Sequence, residues 1–382
     1  DSYYRAGRGE YRLFQLTKRL TGGELPTVYT VDLRQELQEG NRSIFSRKLQ
    51  ELMTDRLNKG QQTILFLNRR GYAGFVSCRS CGEVMKCPHC DVSLSEHKGG
   101  RLICHYCGYT QPMPKLCPKC GSKYILGFKA GTQQIEEKIK ELYPGVRTLR
   151  MDADTTRTKD SYEKILSSFA NGEADVLIGT QMIVKGHDFP KVTLVGILAA
   201  DLSLNASDYR AGERTFQLLT QAVGRAGRGA LPGEAVIQTY QPDHYAITCA
   251  AAQDYENFYQ EEILYRELSG YPPVAHMLAV QIYGKEEENV KQLALRLTDV
   301  VKSNMDFLSG KQKEQSNKKI QVLGPAPANI SKINDIYRYV FYVKHAEYDV
   351  LVEVKDRLEE TLRQWQPRQM SIQFDFDPVS VL

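Results

Sequence analysis

Eight of the nine cysteines fall between Cys78 and Cys120, in four Cys-x-x-Cys pairs: Cys78/Cys81, Cys87/Cys90, Cys104/Cys107 and Cys117/Cys120. A turn of that spacing aims two thiolates at one centre, and two such turns complete a tetrahedral four-cysteine zinc site. Eight ligands therefore make two sites. The start, Asp1-Ser-Tyr-Tyr, is not a signal peptide. Metal binding in a reducing cytoplasm is then preferred to a disulfide framework. Spacing alone admits sequential or nested pairing. The stretch between the inner pairs carries Gly99-Gly100, which suits a hairpin turn and brings its two ends together. That favours Cys87/Cys90 with Cys104/Cys107, leaving Cys78/Cys81 with Cys117/Cys120. His89, His97 and His105 lie nearby but read as bystanders, because thiolates already fill both sites. Cys249 lies in an apolar helical stretch and reads as an inert core residue.

Two further segments could do chemistry. One is Gly179-Thr-Gln-Met-Ile-Val-Lys-Gly-His-Asp188, after a short apolar run. The other is Gln221-Ala-Val-Gly-Arg-Ala-Gly-Arg228. Arg225 and Arg228 are three residues apart, so on a helix or tight turn they share one face. Such a pair can clamp a phosphate and stabilise charge developing on it. Alone, such a run is more often a basic turn than a catalytic one.

The elements that must position these residues alternate. Helical periodicity marks Ser43–Asn58, Thr132–Leu142, Ser161–Phe169 and Arg214–Gly224. Strands are expected at Gln62–Asn68, Ile125–Phe128, Val146–Met151, Asp175–Gly179, Val192–Ala199 and Glu234–Tyr240. Strands alternating with helices argue an α/β domain, a parallel sheet covered on both faces, with the cysteine segment inserted after its first strand. Tyr245–Leu268 is mostly helical and stops at Gly270-Tyr-Pro-Pro. Beyond it the order becomes β-α-β-β-α-β, a small α+β domain. Its strands are Val274–Tyr283, Ile320–Leu323, Tyr337–Val343 and Met370–Phe374, its helices Glu287–Met305 and Tyr348–Trp365, with a polar loop over Ser309–Lys319. The expected division is 1–42 lead-in, 43–77 first part of the lobe, 78–120 zinc insertion, 121–270 second part, and 271–382 C-terminal domain.

Composition is that of a soluble globular protein, 42% hydrophobic and 25% charged, which excludes a disordered chain, a collagen or a coiled-coil rod. No apolar run reaches the length of a membrane span. The net charge of +4 decides nothing. Between Gln61 and Ala130, however, ten Lys/Arg face three Asp/Glu. That segment is either a phosphate-binding surface or a solvated basic face. Tyr72, Tyr106 and Tyr109 within it could stack on unpaired bases or pack beneath the knuckles.

Together the two loops are far more specific than either alone. GTxxxxKGxD followed by QxxGRAGR resembles motifs V and VI in the second, RecA-like lobe of superfamily 2 helicases. Gln62 to Tyr72, ending Asn-Arg-Arg-Gly-Tyr, resembles motif IV. With four Cys-x-x-Cys pairs inserted after that strand, and the closing Phe374-Asp-Phe-Asp-Pro378, the chain resembles the bacterial primosomal replication-restart helicases, the PriA family, over nearly all its length. The resemblance implies that Arg225 and Arg228 act as arginine fingers toward a γ-phosphate. Gly186, Asp188, Gln221 and Gly224 would touch nucleotide. Thr180, Lys185, Arg69 and Arg70 would touch DNA. It also implies nested cysteine pairing and two Zn2+, with ATP and Mg2+ in the full-length protein. The implied activity is ATP-dependent 3'–5' unwinding at stalled or repaired forks and initiation of primosome assembly. The implied partners are forked and single-stranded DNA, the single-stranded-DNA-binding protein and helicase-loading proteins. A monomer in the bacterial cytoplasm, nucleoid-associated at forks, is expected. In the family the segment matching Asn329 to Tyr339 is usually more basic, whereas here Asn334-Asp335 dilutes it.

The sequence has no GxxxxGK[ST] and no Asp-Glu dipeptide. A phosphate-transferring motor needs the phosphate loop and magnesium carboxylates before arginine fingers matter. The expectation is the C-terminal part of such a helicase, folded but unable to hydrolyse ATP alone. The competing readings are a non-enzymatic zinc-ribbon module, which leaves the two loops unexplained, and an RNA helicase or another superfamily 2 translocase, against which the basic insertion argues.

Overall fold

The computed structural model describes residues 1–16, 24–67, 76–89, 93–97, 100–104, 107–126, 131–152, 155–156, 159–184, 188–204, 206, 208–303 and 319–379. Helix α1 (Ser2–Gly7), strand β1 (Thr27–Asp32) and helix α2 (Leu33–Gln38) precede α3 (Arg47–Asn58) and β2 (Gln62–Leu67). The cysteine segment holds the short strands β3 (Ser77–Cys78), β4 (Ser95–His97), β5 (Arg101–Ile103), β6 (Thr110–Pro112) and β7 (Ile125–Leu126). There follow α4 (Thr132–Leu142), β8 (Thr148–Met151), α5 (Lys159–Ala170), β9 (Val176–Gly179), a 3-10 turn (Gln181–Val184), β10 (Val192–Leu198), α6 (Asp201–Leu204), α7 (Ala211–Val223), β11 (Glu234–Thr239), α8 (Tyr245–Ala252) and α9 (Tyr255–Ser269). The last domain is β12 (His276–Gly284), α10 (Glu287–Ser303), β13 (Gln321–Ile333), β14 (Ile336–His345), α11 (Tyr348–Trp365) and β15 (Met370–Phe376).

The main sheet runs β1-β11-β10-β2-β9-β8, and every neighbouring pair is parallel. Side chains alternate across a strand, so a strand buried on both faces must be apolar throughout. Ile64, Phe66, Leu177, Val195 and Ile197 point to the face covered by α5, α7, α8 and α9. Leu65, Leu67, Val176, Ile178 and Leu194 point to the face covered by α3 and α4. Helix α3 buries Leu49, Leu52, Met53 and Arg56, one face of a 3.6-residue period.

The C-terminal sheet, β13-β14-β12-β15, is antiparallel at every pair. Leu278, Val280, Phe341 and Val343 face α10 and α11. The opposite face is also buried. Met277, Ala279, Val340 and Tyr342 share a core with Cys78, Cys87, Cys104, Cys117, Tyr209 and Tyr271. The cysteine insertion is thus packed between the lobe and the C-terminal domain.

Several elements differ from expectation. Strand β1 was not anticipated, although Thr-Val-Tyr-Thr-Val is rich in strand formers; it is the edge strand beside β11. Ile125 and Leu126 do not enter the main sheet. They pair with Cys78 and Ser77 and zip together the two ends of the insertion, because a two-residue strand gains most where the entering chain already lies alongside. The long helix after β11 divides into two. Gln253 turns left-handed at φ 54°, and Asp254 caps α9 by accepting from the Asn257 N–H at 3.0 Å. Strand β13 runs to Ile333, well past the expected end. The polar loop lies outside the described residues except for Lys319. No helix among the described residues is long and apolar enough to cross a membrane.

Arg266 locks α9 to α7. It is 2% exposed, and its guanidinium meets Glu262 at 2.5 Å, Glu213 at 2.8 Å and the Pro272 carbonyl at 2.7 Å. Burial works against ionisation of Glu213, but Arg266 more than offsets it and holds the carboxyl below the usual range. That contribution is complete above the ordinary carboxylate range and is lost as pH falls through the depressed value. Arg266→Ala leaves the buried Glu262 and the half-buried Glu213 without their shared guanidinium and should cost about 3–5 kcal/mol. Urea unfolding at neutral pH measures it, and a loss no larger than that of the surface variant Lys59→Ala would show that the network does not hold the joint.

Candidate functional site

Two of the four cysteine turns, Cys78–Gly82 and Cys117–Gly121, are described in full, and the described ends of a third, Cys104–Gly108, follow the same hydrogen-bond pattern. In Cys78–Gly82, Cys104–Gly108 and Cys117–Gly121 the first cysteine's carbonyl accepts from the glycine N–H at 2.8, 2.9 and 2.9 Å. Its own N–H donates to the carbonyl of Glu83, Tyr109 or Ser122, each at 2.8 Å. The glycines have φ of +77°, +77° and +71°, a conformation that glycine adopts without steric cost. Glycine directly after the second cysteine was a visible signal that reading for Cys-x-x-Cys alone passed over.

The turns converge in nested fashion. Cys78, Cys81, Cys117 and Cys120 form one group, with every pair of sulfurs within 4.8 Å. Cys87, Cys104 and Cys107 form the other, and Cys90 lies outside the described residues. Sulfur separations are 3.6 Å for Cys78–Cys120, 3.6 Å for Cys81–Cys117 and 3.5 Å for Cys87–Cys107. Tetrahedral zinc–thiolate coordination needs sulfurs about 3.8 Å apart, so both groups fit the metal. Burial, the largest effect, pushes the Cys81 and Cys87 thiols up to about 12. Cys78 is buried too, yet N–H groups of Cys81 and Ser80 bring it down to about 7. Thiols this close cannot all ionise without a cation among them. His89 packs edge-on against Tyr109, 5.6 Å between centroids, and Tyr109 lies against the knuckle core rather than open to solvent. The side chains of His97 and His105, like Tyr72 and Tyr106, lie outside the described residues. Cys249 is buried in α8, its thiol pushed up by burial.

The two loops of the lobe meet. Thr180 follows β9, and Asp188 closes the same loop before β10. Lys185, Gly186, Arg69 and Arg70 lie outside the described residues. Helix α7 carries Gln221 and ends at Gly224, after which the chain turns through Arg225 to Arg228. Arg228 is ion-paired with Asp188 and donates from Nε to the Gly224 carbonyl at 2.8 Å. Arg225 is 9% exposed, so the two guanidiniums do not share one open face as the spacing suggested. Burial first, then the charge of Arg228, hold Arg225 below the usual guanidinium value, and Asp188 acts against both.

Gly227 makes this turn possible. Its φ is +68°, its N–H donates to the Val192 carbonyl at 3.0 Å, and a Cβ there would stand 2.5 Å from the Gly233 nitrogen. Gly60 has a similar φ of +64° with nothing within 4 Å. Gly60→Ala should therefore show the left-handed penalty alone, about 1–2 kcal/mol. Gly227→Ala should cost clearly more, because rigid backbone must also shift. Equal unfolding free energies for the two variants would mean that the close approach holds nothing in place.

Comparison with known proteins agrees with this arrangement. Residues 267–379 match the model described as primosomal protein N C-terminal domain, 87–112 match the PriA DNA helicase cysteine-rich region, and 116–230 match the helicase conserved C-terminal domain. The replication restart protein PriA of Bacillus subtilis (strain 168) is 43% identical over 100% of this chain and 46% of its own length. The protein of the same name from Synechocystis is 41% identical over 96% of this chain and 43% of its own. That from Haemophilus influenzae is 34% identical over 97% and 48%. The chain therefore spans about half the length of the curated relatives it matches. With the fold of a helicase C-terminal lobe, a cysteine-rich insertion and the matching C-terminal domain in one chain, it belongs to the PriA family of replication restart proteins.

Proposed function

We propose that the chain is the C-terminal motor half of an ATP-dependent 3'–5' DNA helicase that acts at stalled or repaired replication forks and initiates primosome assembly. The observation that carries the reading is the Arg228–Asp188 ion pair, which joins the loop after β9 to the turn after α7. Arginines held in advance, with a carboxylate beside them, suit a site that receives a polyphosphate. Arg225 and Arg228 would stabilise charge on the γ-phosphate. Gly186, Asp188, Gln221 and Gly224 would border the nucleotide, and Thr180, Lys185, Arg69 and Arg70 would follow the DNA backbone. ATP and Mg2+ would be held jointly with a phosphate loop and magnesium carboxylates, neither of which these 382 residues contain. Forked and single-stranded DNA, the single-stranded-DNA-binding protein and helicase-loading proteins are the proposed partners of a monomeric protein in the bacterial cytoplasm.

An arginine finger acts mainly on the transition state. In the full-length protein, Arg228→Ala should lower DNA-stimulated ATP hydrolysis by roughly 10³–10⁵ while leaving nucleotide affinity largely intact. The 382-residue chain alone should show no DNA-stimulated hydrolysis. Near wild-type turnover by full-length Arg228→Ala would reduce the two arginines to a basic turn.

The cysteine groups would hold two Zn2+ as structural ions, one in each. Metal analysis of the reduced protein should give two ions per chain, and Cys87→Ser should release one. Loss of both ions on that single change, or a reproducible content of one in the wild type, would refute separate sites.

A further inference from the structure

The knuckles that carry Gly82, Gly108 and Gly121 share a hydrogen-bond pattern but not an environment. A Cβ on Gly82 would stand 2.5 Å from the Tyr240 carbonyl oxygen and 3.3 Å from Arg34 Cδ, so that knuckle is covered by the motor lobe. Arg79 strengthens the contact, donating to the Tyr240 hydroxyl at 3.2 Å. A Cβ on Gly108 would meet the Pro325 carbonyl oxygen at 3.4 Å and Ala326 Cβ at 3.6 Å, so that one is covered by the C-terminal domain. A Cβ on Gly121 would meet nothing within 4 Å. The third knuckle alone among them presents itself outward.

Its surface is unusual for a face with no intramolecular duty. Leu116 is 59% and Tyr124 51% exposed, and Lys115, Lys119 and Lys123 are exposed around them. The sequence from His97 to Ile135 contains no carboxylate side chain. The acid at the rim, Glu83, pairs with Lys119 at 3.2 Å. The backbone beneath is fixed. The Arg79 N–H donates to the Tyr124 carbonyl at 2.9 Å, the Tyr124 N–H donates to Ser122 Oγ at 3.1 Å, and Ser80 and Ser122 hydroxyls meet at 2.8 Å. A phenol ring and a leucine held open among lysines offer a base a stacking surface and its phosphates a counter-charge.

We propose that this outward knuckle, with Lys115, Leu116, Lys119, Lys123 and Tyr124, is a contact for single-stranded nucleic acid. The proposal rests on the reading of the chain as part of a DNA motor and assigns the unpaired strand a place on it. Duplex DNA keeps its base faces stacked inside, so Tyr124 distinguishes unpaired from paired strands, while the lysines serve both.

The test is fluorescence anisotropy of the zinc-loaded chain with labelled oligothymidine and with duplex of equal length, across a salt series. Zinc content is measured in every variant. Tyr124→Ala should weaken oligothymidine binding about 5- to 150-fold with little change for duplex, and Tyr124→Phe should bind as the wild type does. Replacing Lys115, Lys119 and Lys123 together by Gln should flatten the log–log salt slope for single strands by about 2. A Tyr124→Ala chain that keeps its zinc and binds oligothymidine like the wild type would overturn the proposal. So would lysine substitutions that leave the slope unchanged while abolishing binding of an acidic peptide, which would make the knuckle a protein contact. Failure of the wild-type chain to bind either DNA at low salt would sink the broader reading as well, whereas wild-type binding untouched by these variants sinks only this one.

Discussion

Three stretches of chain far apart in sequence bury their side chains in one core, and the relation among the domains depends on it. The cysteine knuckles contribute Cys78, Cys87, Cys104 and Cys117, the lobe contributes Tyr209, and the C-terminal domain contributes Tyr271, Met277, Ala279, Val340 and Tyr342. Tyr209 and Tyr271 stack at 4.6 Å, and Arg266 and Lys344 lie over their rings at 5.0 and 4.0 Å. Burial pushes up both Tyr209 and Tyr342. Such rings are large apolar surfaces whose removal would expose all three units at once. The two faces of the C-terminal sheet therefore do different work. One makes that domain's own core with α10 and α11, and the other makes its attachment.

A core that includes clustered thiols is electrostatically delicate. Without a cation, burial opposes deprotonation of Cys81 and Cys87, which are driven to about 12. A divalent cation reverses that balance and makes thiolates the favoured form. The ion expected at each centre would then do more than close a small loop. The Cys78 knuckle abuts Tyr240 of the lobe and the Cys104 knuckle abuts Pro325 of the C-terminal domain, so the sulfurs that would hold the metal lie in the turns on which neighbouring domains rest.

Much of this was legible in the residues, for identifiable reasons. Strands β2, β9 and β10 are predominantly apolar because both faces are buried, and helices such as α4 and α11 carry an unbroken period; the bounds of those two match expectation. Nested pairing followed from a hairpin turn between the inner cysteines, and β4 and β5 do pair with His97 opposite Arg101. What was not legible depends on tertiary partners. Strand β1 needs β11 to exist, and Ile125–Leu126 needs Ser77–Cys78. The different burial of Arg225 and Arg228 could not be read from a spacing of three, which says nothing of what packs over either side chain. Tyr109 and Tyr124 are indistinguishable by type. One packs beneath its knuckle and the other stands outside it, since only one of the two knuckles is covered.

The same logic applies to the charges at the two loops. Arg225 is held below its usual value by burial and by Arg228, and Asp188 opposes this. The lobe thus places two guanidiniums beside one carboxylate, and it holds the backbone there with a left-handed glycine and close backbone packing. Under the proposed reading, a polyphosphate arriving between the loops would bring negative charge to the two arginines without requiring them to be assembled first. Asp188 then has a physical role before any ligand is bound. It keeps Arg228 aimed across the gap, and because the Asp188 side chain is 70% exposed, solvent screens the pair enough for a phosphate to compete for the guanidinium.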